Sequence, residues 1–393
     1  MKALTWHGKR DVRVTQVPDP MLKEPNDAIV RLTTTAICGS DLHLYEVLGP
    51  FIGEGDILGH EPIGVVEEVG PQVRDLRPGD RVVVPFNISC GHCWMCQRRY
   101  YAQCETTQVR DTGMGAALFG YTKLYGEVPG AQAEYLRVPQ AQFGPIKVPA
   151  GPPDERFVYL SDVLPTAWQA VEYASIPRGG SVTVVGLGPI GQMCARIARH
   201  HGARVIGVER VPERITMARR HGVEVIAATG HADVVEAIRD LTDGRGTDAA
   251  IEAVGMEAHG SPVAQAAQTM TGWMPDRAAA SVMSHVGVDR LAALHLAIDA
   301  VRRCGTVSIT GVYGGMTDPL PMLRVFDKGL TLRMGQAHVK RWIDELMPLV
   351  TDDADPLGIE DLATHHLPLD QAPHGYEIFQ KKQDGAIKVL LHP

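Results

Sequence analysis

Ser181-Val182-Thr183-Val184-Val185-Gly186-Leu187-Gly188-Pro189-Ile190-Gly191 decides the fold of the central part of the chain. Ser181–Val185 is a short β-branched run that reads as a strand, and G-x-G-x-x-G follows it at once. An apolar helix is then expected to about His201, with a second strand over Arg204–Val208 ending at Glu209. A lone glycine motif carries little weight, but between a strand and a helix it has a mechanism. Gly186 permits the tight turn, Gly188 lets the backbone approach a pyrophosphate, and Gly191 allows close helix–strand packing. The helix N-terminus offers free N–H groups and positive dipole character to phosphates. Glu209 lies 18 residues beyond Gly191, where an acid can accept hydrogen bonds from ribose hydroxyls and repel a 2′-phosphate. That arrangement favours NAD over NADP, and Arg210 weakens the preference slightly. The alternative is a parallel αβ unit that binds no nucleotide.

Further strands are expected at Asp248–Val254 and Thr306–Val312. The connection from Gly255 to Arg303 exceeds the needs of one crossover, so it carries an insertion. That connection includes Trp273, Met274 and an Ala-rich helical pattern at Asp289–Val301. The tail from Gly314 to Pro393 mixes helical and strand patterns without a second glycine motif.

Upstream, Phe86 to Glu105 holds Cys90, Cys93, Cys96 and Cys104 at C-x2-C-x2-C-x7-C. Four thiolates in one loop close a tetrahedral sphere around Zn2+ and leave no position for water, which marks a structural site. A ferredoxin cluster would want C-x2-C-x2-C-x3-C-P, whereas here the last gap is seven and Glu105 follows. Disulfides are the other alternative, disfavoured by such tight spacing in a chain that shows no secretory pattern.

From Met1 to about Gly151 the language is that of strands and turns, with short runs such as Ala28–Thr33 and Arg81–Val84. A folded-back β-domain is expected. Within it lie Cys38-Gly39-Ser40-Asp41-Leu42-His43 and Gly59-His60-Glu61. Cys38 and His60 are good Zn2+ ligands, and Ser40 and His43 can carry a proton. Taken singly, each also reads as a buried thiol, a satisfied histidine or a turn serine. Thr106 to Pro139 is glycine-rich and loop-like, either a functional lid or interface segment or a plain surface excursion.

The 393 residues suffice for two domains, and 45% hydrophobic with 21% charged residues describes an ordinary globular protein. A net charge of −8 makes nucleic acid an unsuitable partner. No apolar run approaches the roughly 20 residues that span a bilayer. The first residues reach charges before any signal h-region can form, so a cytoplasmic, reducing compartment is expected. Cys194 and Cys304 remain, both in apolar contexts.

Together these motifs resemble the zinc-containing medium-chain alcohol dehydrogenase family. The likeness covers nearly the whole chain: C-G-S-D-x-H at 38–43, G-H-E-x2-G-x5-G-x2-V at 59–73, the tetrad at 90–104 and G-L-G-P-I-G at 186–191. Four independent motifs in order are far more specific than any one. Within the family, P-F-N-I-S-C-G-H-C-x2-C, L-S-D-V-L-P-T at 160–166 and the two insertions resemble the glutathione-independent formaldehyde dehydrogenase and formaldehyde dismutase branch.

The resemblance implies an α/β fold made of a GroES-like β-barrel catalytic domain and a Rossmann doubly wound parallel-sheet domain. The expected boundaries are 1–165 for the catalytic domain, 166–313 for the Rossmann domain and 314–393 for a segment returning to the first, with the active site in the interdomain cleft. Two zincs per chain and NAD are implied. The catalytic zinc would be held by Cys38, His60 and Asp162, where horse-liver-type members place cysteine at the third position. Glu61 and Asp41 look like groups that orient His60 and tune the metal. The alcohol proton would leave through Ser40, the nicotinamide ribose and His43.

Gly39, Thr166, Pro189, Ile190, Arg210, Arg214, Val254, Val312 and Gly335 match family positions that touch the dinucleotide. Lys388 stands where some relatives have a pyrophosphate-binding arginine. The implied activity is hydride transfer between a primary alcohol or small aldehyde and NAD. One alternative is formaldehyde dehydrogenase or dismutase with NAD retained beneath the insertions Thr106–Tyr135 and Met256–His295. A remote one is a non-catalytic NAD-binding relative. A homotetramer or homodimer is the family habit.

Overall fold

The computed structural model describes residues 1–228, 230–255, 291–313 and 320–393. Most of the insertion at Met256–His295 and the start of the tail at Gly314 lie outside the described residues. The chain forms two units, one of Met1–Pro165 with Ala337–Pro393 and one of Thr166–Gln336.

The first unit is built on a seven-stranded mixed sheet. In spatial order its main path runs His365–Pro368, Val389–His392, Ala28–Ile37, Ile63–Val69, Arg81–Val83 and Ile146–Lys147, with Tyr135–Val138 also paired to Ala28–Ile37. Ala28–Ile37 is nearly all buried, as a strand paired along its length requires. Ala28, Val30, Leu32, Val66, Val82, Leu136 and Val138 share one core cluster. The final strand runs antiparallel to it, with Val389 opposite Ile37. That register carries Lys388 to the end of the strand from which Cys38 emerges.

The second unit is a six-stranded parallel sheet, ordered Glu224–Ala227, Arg204–Glu209, Ser181–Val185, Thr247–Glu252, Val301–Ile309 and Thr331–Met334. In chain order this is 3-2-1-4-5-6, the doubly wound order whose direction reverses between the first and fourth strands. Ligands bind at such switch points, beyond the carboxyl ends of the strands, and Gly186 sits at that end of the first strand. The helix Pro189–His200 begins with proline at a position whose N–H would be unpaired in any case.

Two boundaries differ from expectation. The chain leaves the second unit after Gln336 rather than after 313, because Thr331–Met334 adds to the sheet edge beside Val301–Ile309. The fifth strand starts at Val301, directly after the helix Ala292–Ala300, rather than at Thr306. No helix among the described residues is long and apolar enough to cross a membrane.

Candidate metal centres and nucleotide site

Cys38 lies where the strand Ala28–Ile37 passes into the helix Gly39–Glu46. Its N–H donates to Asp41 Oδ2 at 2.9 Å, so Asp41 caps the helix from its third position. Gln132 Nε2 donates to the same oxygen at 3.2 Å. The other oxygen, Oδ1, lies 3.1 Å from His60 Nδ1. Asp41 thus stands as a charged neighbour on the Nδ1 side of the imidazole, while Nε2 faces the cluster, 3.6 Å from Asp162 Oδ2. Cys38 Sγ is 3.4 Å from that same oxygen, and Ser40 Oγ is 3.3 Å from His60 Nε2.

Glu61 takes a different place from the one expected. The carboxylate on His60 is Asp41, while Glu61 offers an oxygen within 4.8 Å of the ligand atoms of Cys38, His60 and Asp162. Its Oε1 accepts from Lys388 Nζ at 2.5 Å, and Lys388 also donates to Ile37 O at 3.1 Å. Both side chains are wholly buried. Lys388 is therefore paired with Glu61 inside the first unit. Sequence reasoning missed this pair because its members stand 327 residues apart.

The donors fit a divalent cation. Glu61 Oε2 is buried with no hydrogen-bond partner in the described structure. Burial, then the Asp162 and Glu61 charges, push the Cys38 thiol up to about 11. Burial opposes a charge on His60, yet Asp41 and Asp162 together hold its pKa well above the usual 6.5. Both shifts arise from negative charge gathered in a buried place, which a cation would offset. A thiolate, an imidazole and carboxylates suit Zn2+. The rings of Phe86 and Tyr121 meet His60 edge-on at 6.2 and 6.4 Å between centroids. Tyr121 comes from the glycine-rich 106–139 stretch, which therefore reaches the metal pocket.

The tetrad is a second, closed cluster. The ligand atoms of Cys90, Cys93, Cys96 and Cys104 all lie within 4.8 Å of one another, and all four thiols are free. Cys90 and Cys96 sulfurs are 4.0 Å apart and those of Cys93 and Cys104 3.9 Å. A tetrahedron with Zn–S bonds of about 2.3 Å has edges of about 3.8 Å. Backbone N–H groups of His92 and Cys93 donate to Cys90 Sγ, that of Cys90 to Cys104 Sγ and that of Glu105 to Cys93 Sγ. Such donors stabilise thiolates. The lobe is fastened to its unit by Ala102 N–H donating to His338 Nδ1 at 3.1 Å.

In the second unit, Gly186 has φ +83°, and a Cβ there would meet Val254 Cγ2 at 2.4 Å. At Gly191 a Cβ would lie 1.9 Å from Gly186 O, whereas at Gly188 it would touch only the Arg214 guanidinium at 3.6 Å. The turn is closed on its inner side and open at Gly188, as an approaching phosphate requires. No side chain caps the helix that begins at Pro189. Glu209 is buried at the end of its strand, accepting from Leu187 N–H at 2.8 Å and from the N–H groups of Arg210 and Val211. Arg214 stands 3.8 Å from it. Glu252, which sequence reasoning passed over, accepts from the N–H groups of Val254 and Gly255 and sets the turn carrying Val254. Thr166, Pro189, Ile190, Arg210, Arg214, Val254, Val312 and Gly335 all belong to this unit, while Gly39, Ser40, His43 and Lys388 belong to the first.

A doubly wound sheet with a glycine-rich turn, joined in one chain to a mixed thiol, imidazole and carboxylate cluster and a cysteine tetrad, defines a zinc-type oxidoreductase. Residues 24–149 match the alcohol dehydrogenase GroES-like domain and residues 189–273 the zinc-binding dehydrogenase domain. An uncharacterized zinc-type alcohol dehydrogenase-like protein, AdhB of Bacillus subtilis, is 40% identical over 398 residues, covering 100% of both chains. Formaldehyde dismutase of Pseudomonas putida is 32% identical, over 97% of this chain and 95% of its own. Among solved structures, alcohol dehydrogenase TADH from Thermus sp. ATN1 superposes with a TM-score of 0.82 at 36% identity, covering 100% of this chain and 99% of its own. The chain belongs to the zinc-containing medium-chain alcohol dehydrogenase family.

Proposed function

We propose that this oxidoreductase transfers hydride between a primary alcohol or small aldehyde and NAD. The observation that carries the reading is the convergence of Cys38, His60 and Asp162, with Asp41 against the far nitrogen of His60, and we read these three as an open set. These three residues would hold the catalytic zinc, and Glu61 stands ready as a further donor. Bound zinc supplies Lewis acidity to a substrate oxygen, and bound NAD supplies the hydride acceptor. Ser40, beside His60, would take the hydroxyl proton as it hands on its own. His43, three residues on along the same helix, passes it outward, as an imidazole with two ring nitrogens can.

Gly186, Gly188, Gly191 and the Pro189 helix receive the pyrophosphate. Glu209 excludes a 2′-phosphate by its charge, which selects NAD. Phe86 and Tyr121 narrow the pocket toward small substrates. Cys90, Cys93, Cys96 and Cys104 hold a second zinc that takes no part in the chemistry. We also assign a homo-oligomer, on the strength of the sheet edge at Thr331–Met334, unpaired among the described residues, and the neighbouring Leu323 and Phe326, which are 82% and 83% exposed.

The whole-length likeness to formaldehyde dismutase, with aspartate at 162, favours a second reading in which NAD stays bound and hydride shuttles between two aldehydes. One experiment separates them. Purified, desalted protein is denatured, and NAD and zinc are counted in the supernatant. Two zincs and no NAD, with NAD rather than NADP reduced by a primary alcohol, are expected for the exchanging enzyme. A stoichiometric NAD marks the dismutase. Only one zinc would overturn the catalytic site.

A further inference from the structure

Apart from the two clusters above, one more set of metal-binding side chains converges in the first unit. Glu155, His366 and His392 each bring a ligand atom to within 4.8 Å of the others. We propose that these three residues form a third metal site, for a divalent transition ion of which Zn2+ is the chief example.

The geometry follows from the strands. His365–Pro368 pairs in parallel with Val389–His392, His366 opposite Leu390 and Pro368 opposite His392. Partners across a ladder share a face, and so do alternate residues along a strand. His366 and His392 therefore rise from one face as diagonal neighbours. Their rings lie parallel, 8° apart in plane, with centroids separated by 5.9 Å. Thr34 Oγ1 lies 3.5 Å from His392 Nδ1, which leaves Nε2 for a metal.

Glu155 arrives from the short helix Asp154–Phe157. Its neighbour Asp154 is pinned by Arg81 and by Thr33, so the helix cannot drift from the sheet. Among the described residues no ion pair engages Glu155, His366 or His392, whereas the adjacent His365 is occupied by Asp384.

Two imidazoles and one carboxylate suit borderline ions such as Zn2+, Ni2+ and Cu2+, not Mg2+ or Ca2+. A tetrahedral Zn2+ with bonds of about 2.1 Å wants ligand atoms about 3.4 Å apart. His366 is exposed, so its ring is free of the close packing that would hold it at the present spacing. One carboxylate against a double charge leaves the ion a net cation, with solvent completing its sphere. Filling the site would tie the last strand to the helix that leads, through Val158–Ser161, into Asp162.

The test uses the full-length protein with its resident zinc. Equilibrium dialysis against graded Zn2+, with metal counted per chain, should find one equivalent above the resident content. In a His366→Ala/His392→Ala protein that equivalent should bind at least tenfold more weakly, and Glu155→Gln should weaken it as well. Resident zinc and activity should be unchanged in both variants, since the altered groups reach solvent and lie outside the proposed machinery. Added Zn2+ should raise the Tm of the wild type and not of the double variant. No further equivalent in the wild type, or an equivalent unaffected by the double change, would overturn the site.

Discussion

The two cysteine-bearing clusters sit in one unit and both gather metal-binding side chains, yet they are built on opposite plans. The tetrad draws its four sulfurs from a span of fifteen residues, and backbone N–H groups surround them. Cys38, His60 and Asp162 come from three separate segments, with 124 residues between the first and the last. Side chains rather than backbone surround them: Asp41 faces His60, and the Glu61–Lys388 pair lies beside the three. A closed set of like ligands yields rigidity. A mixed set with a spare carboxylate leaves room for exchange. The consequence is that damage to the open cluster should cost chemistry, while damage to the tetrad should cost folding.

The sharpest contrast comes from Asp162→Asn against Cys104→Ser. Asp162→Asn removes an anionic ligand, and kcat/KM for an alcohol should fall by about a thousandfold or more, since several kcal/mol of charge stabilisation depend on the ion. Its thermal unfolding should stay close to wild type. Cys104→Ser should lose the tetrad metal and unfold at markedly lower temperature, because binding energy at a structural site is folding energy. Zinc counts, kinetics and calorimetry on both proteins decide the matter. If Cys104→Ser kept its stability and lost only activity, the division of labour would be wrong.

The same contrast explains what could be read in advance. The tetrad, the G-x-G-x-x-G turn and Glu209 are local patterns whose spacing carries their meaning, so all of them were legible. Asp162 was legible only through family resemblance, because nothing in its own neighbourhood marks it as a ligand. The Glu61–Lys388 pair spans almost the whole chain, and no periodicity reports it. Thr331–Met334 was missed as an edge strand because three of its four residues are exposed, leaving no apolar alternation. The ring of Tyr121 escaped notice because a glycine-rich stretch gives no sign of which residue will turn inward.

A smaller effect probes how the tetrad lobe is fastened. Burial, then the nearby Arg341 charge, holds His338 down at about 4, against 6.5 for the free group. Its Nδ1 accepts the Ala102 N–H, a bond that needs an unprotonated nitrogen. The folded-state pKa is depressed, so the unfolded chain takes up the proton first. The contribution is complete above pH 6.5 and disappears as pH falls from 6.5 toward 4. Over that window it amounts to about 3 kcal/mol. His338→Gln keeps an acceptor but does not titrate. The difference in unfolding free energy between wild type and variant should therefore shift with pH across that window. A pH-independent difference would place the fastening elsewhere.

The smallest effect tests the open cluster from behind. Asp41 uses both oxygens, Oδ1 facing His60 Nδ1 and Oδ2 accepting from Cys38 N–H and Gln132 Nε2. The amide introduced by Asp41→Asn would offer one acceptor and one donor, so either His60 or the turn at Cys38 must face an NH2 group. The helix cap and the imidazole orientation then compete for a single oxygen. Zinc affinity at the open cluster should fall about 10- to 100-fold, the usual cost of losing a group that orients a ligand. Competition with a chelator would measure this, with tetrad zinc as the internal reference. Equal loss from both clusters would mean that Asp41 supports the whole unit. Loss from the open cluster alone would mean that one carboxylate, by joining a helix cap to an imidazole, couples the local fold to the metal.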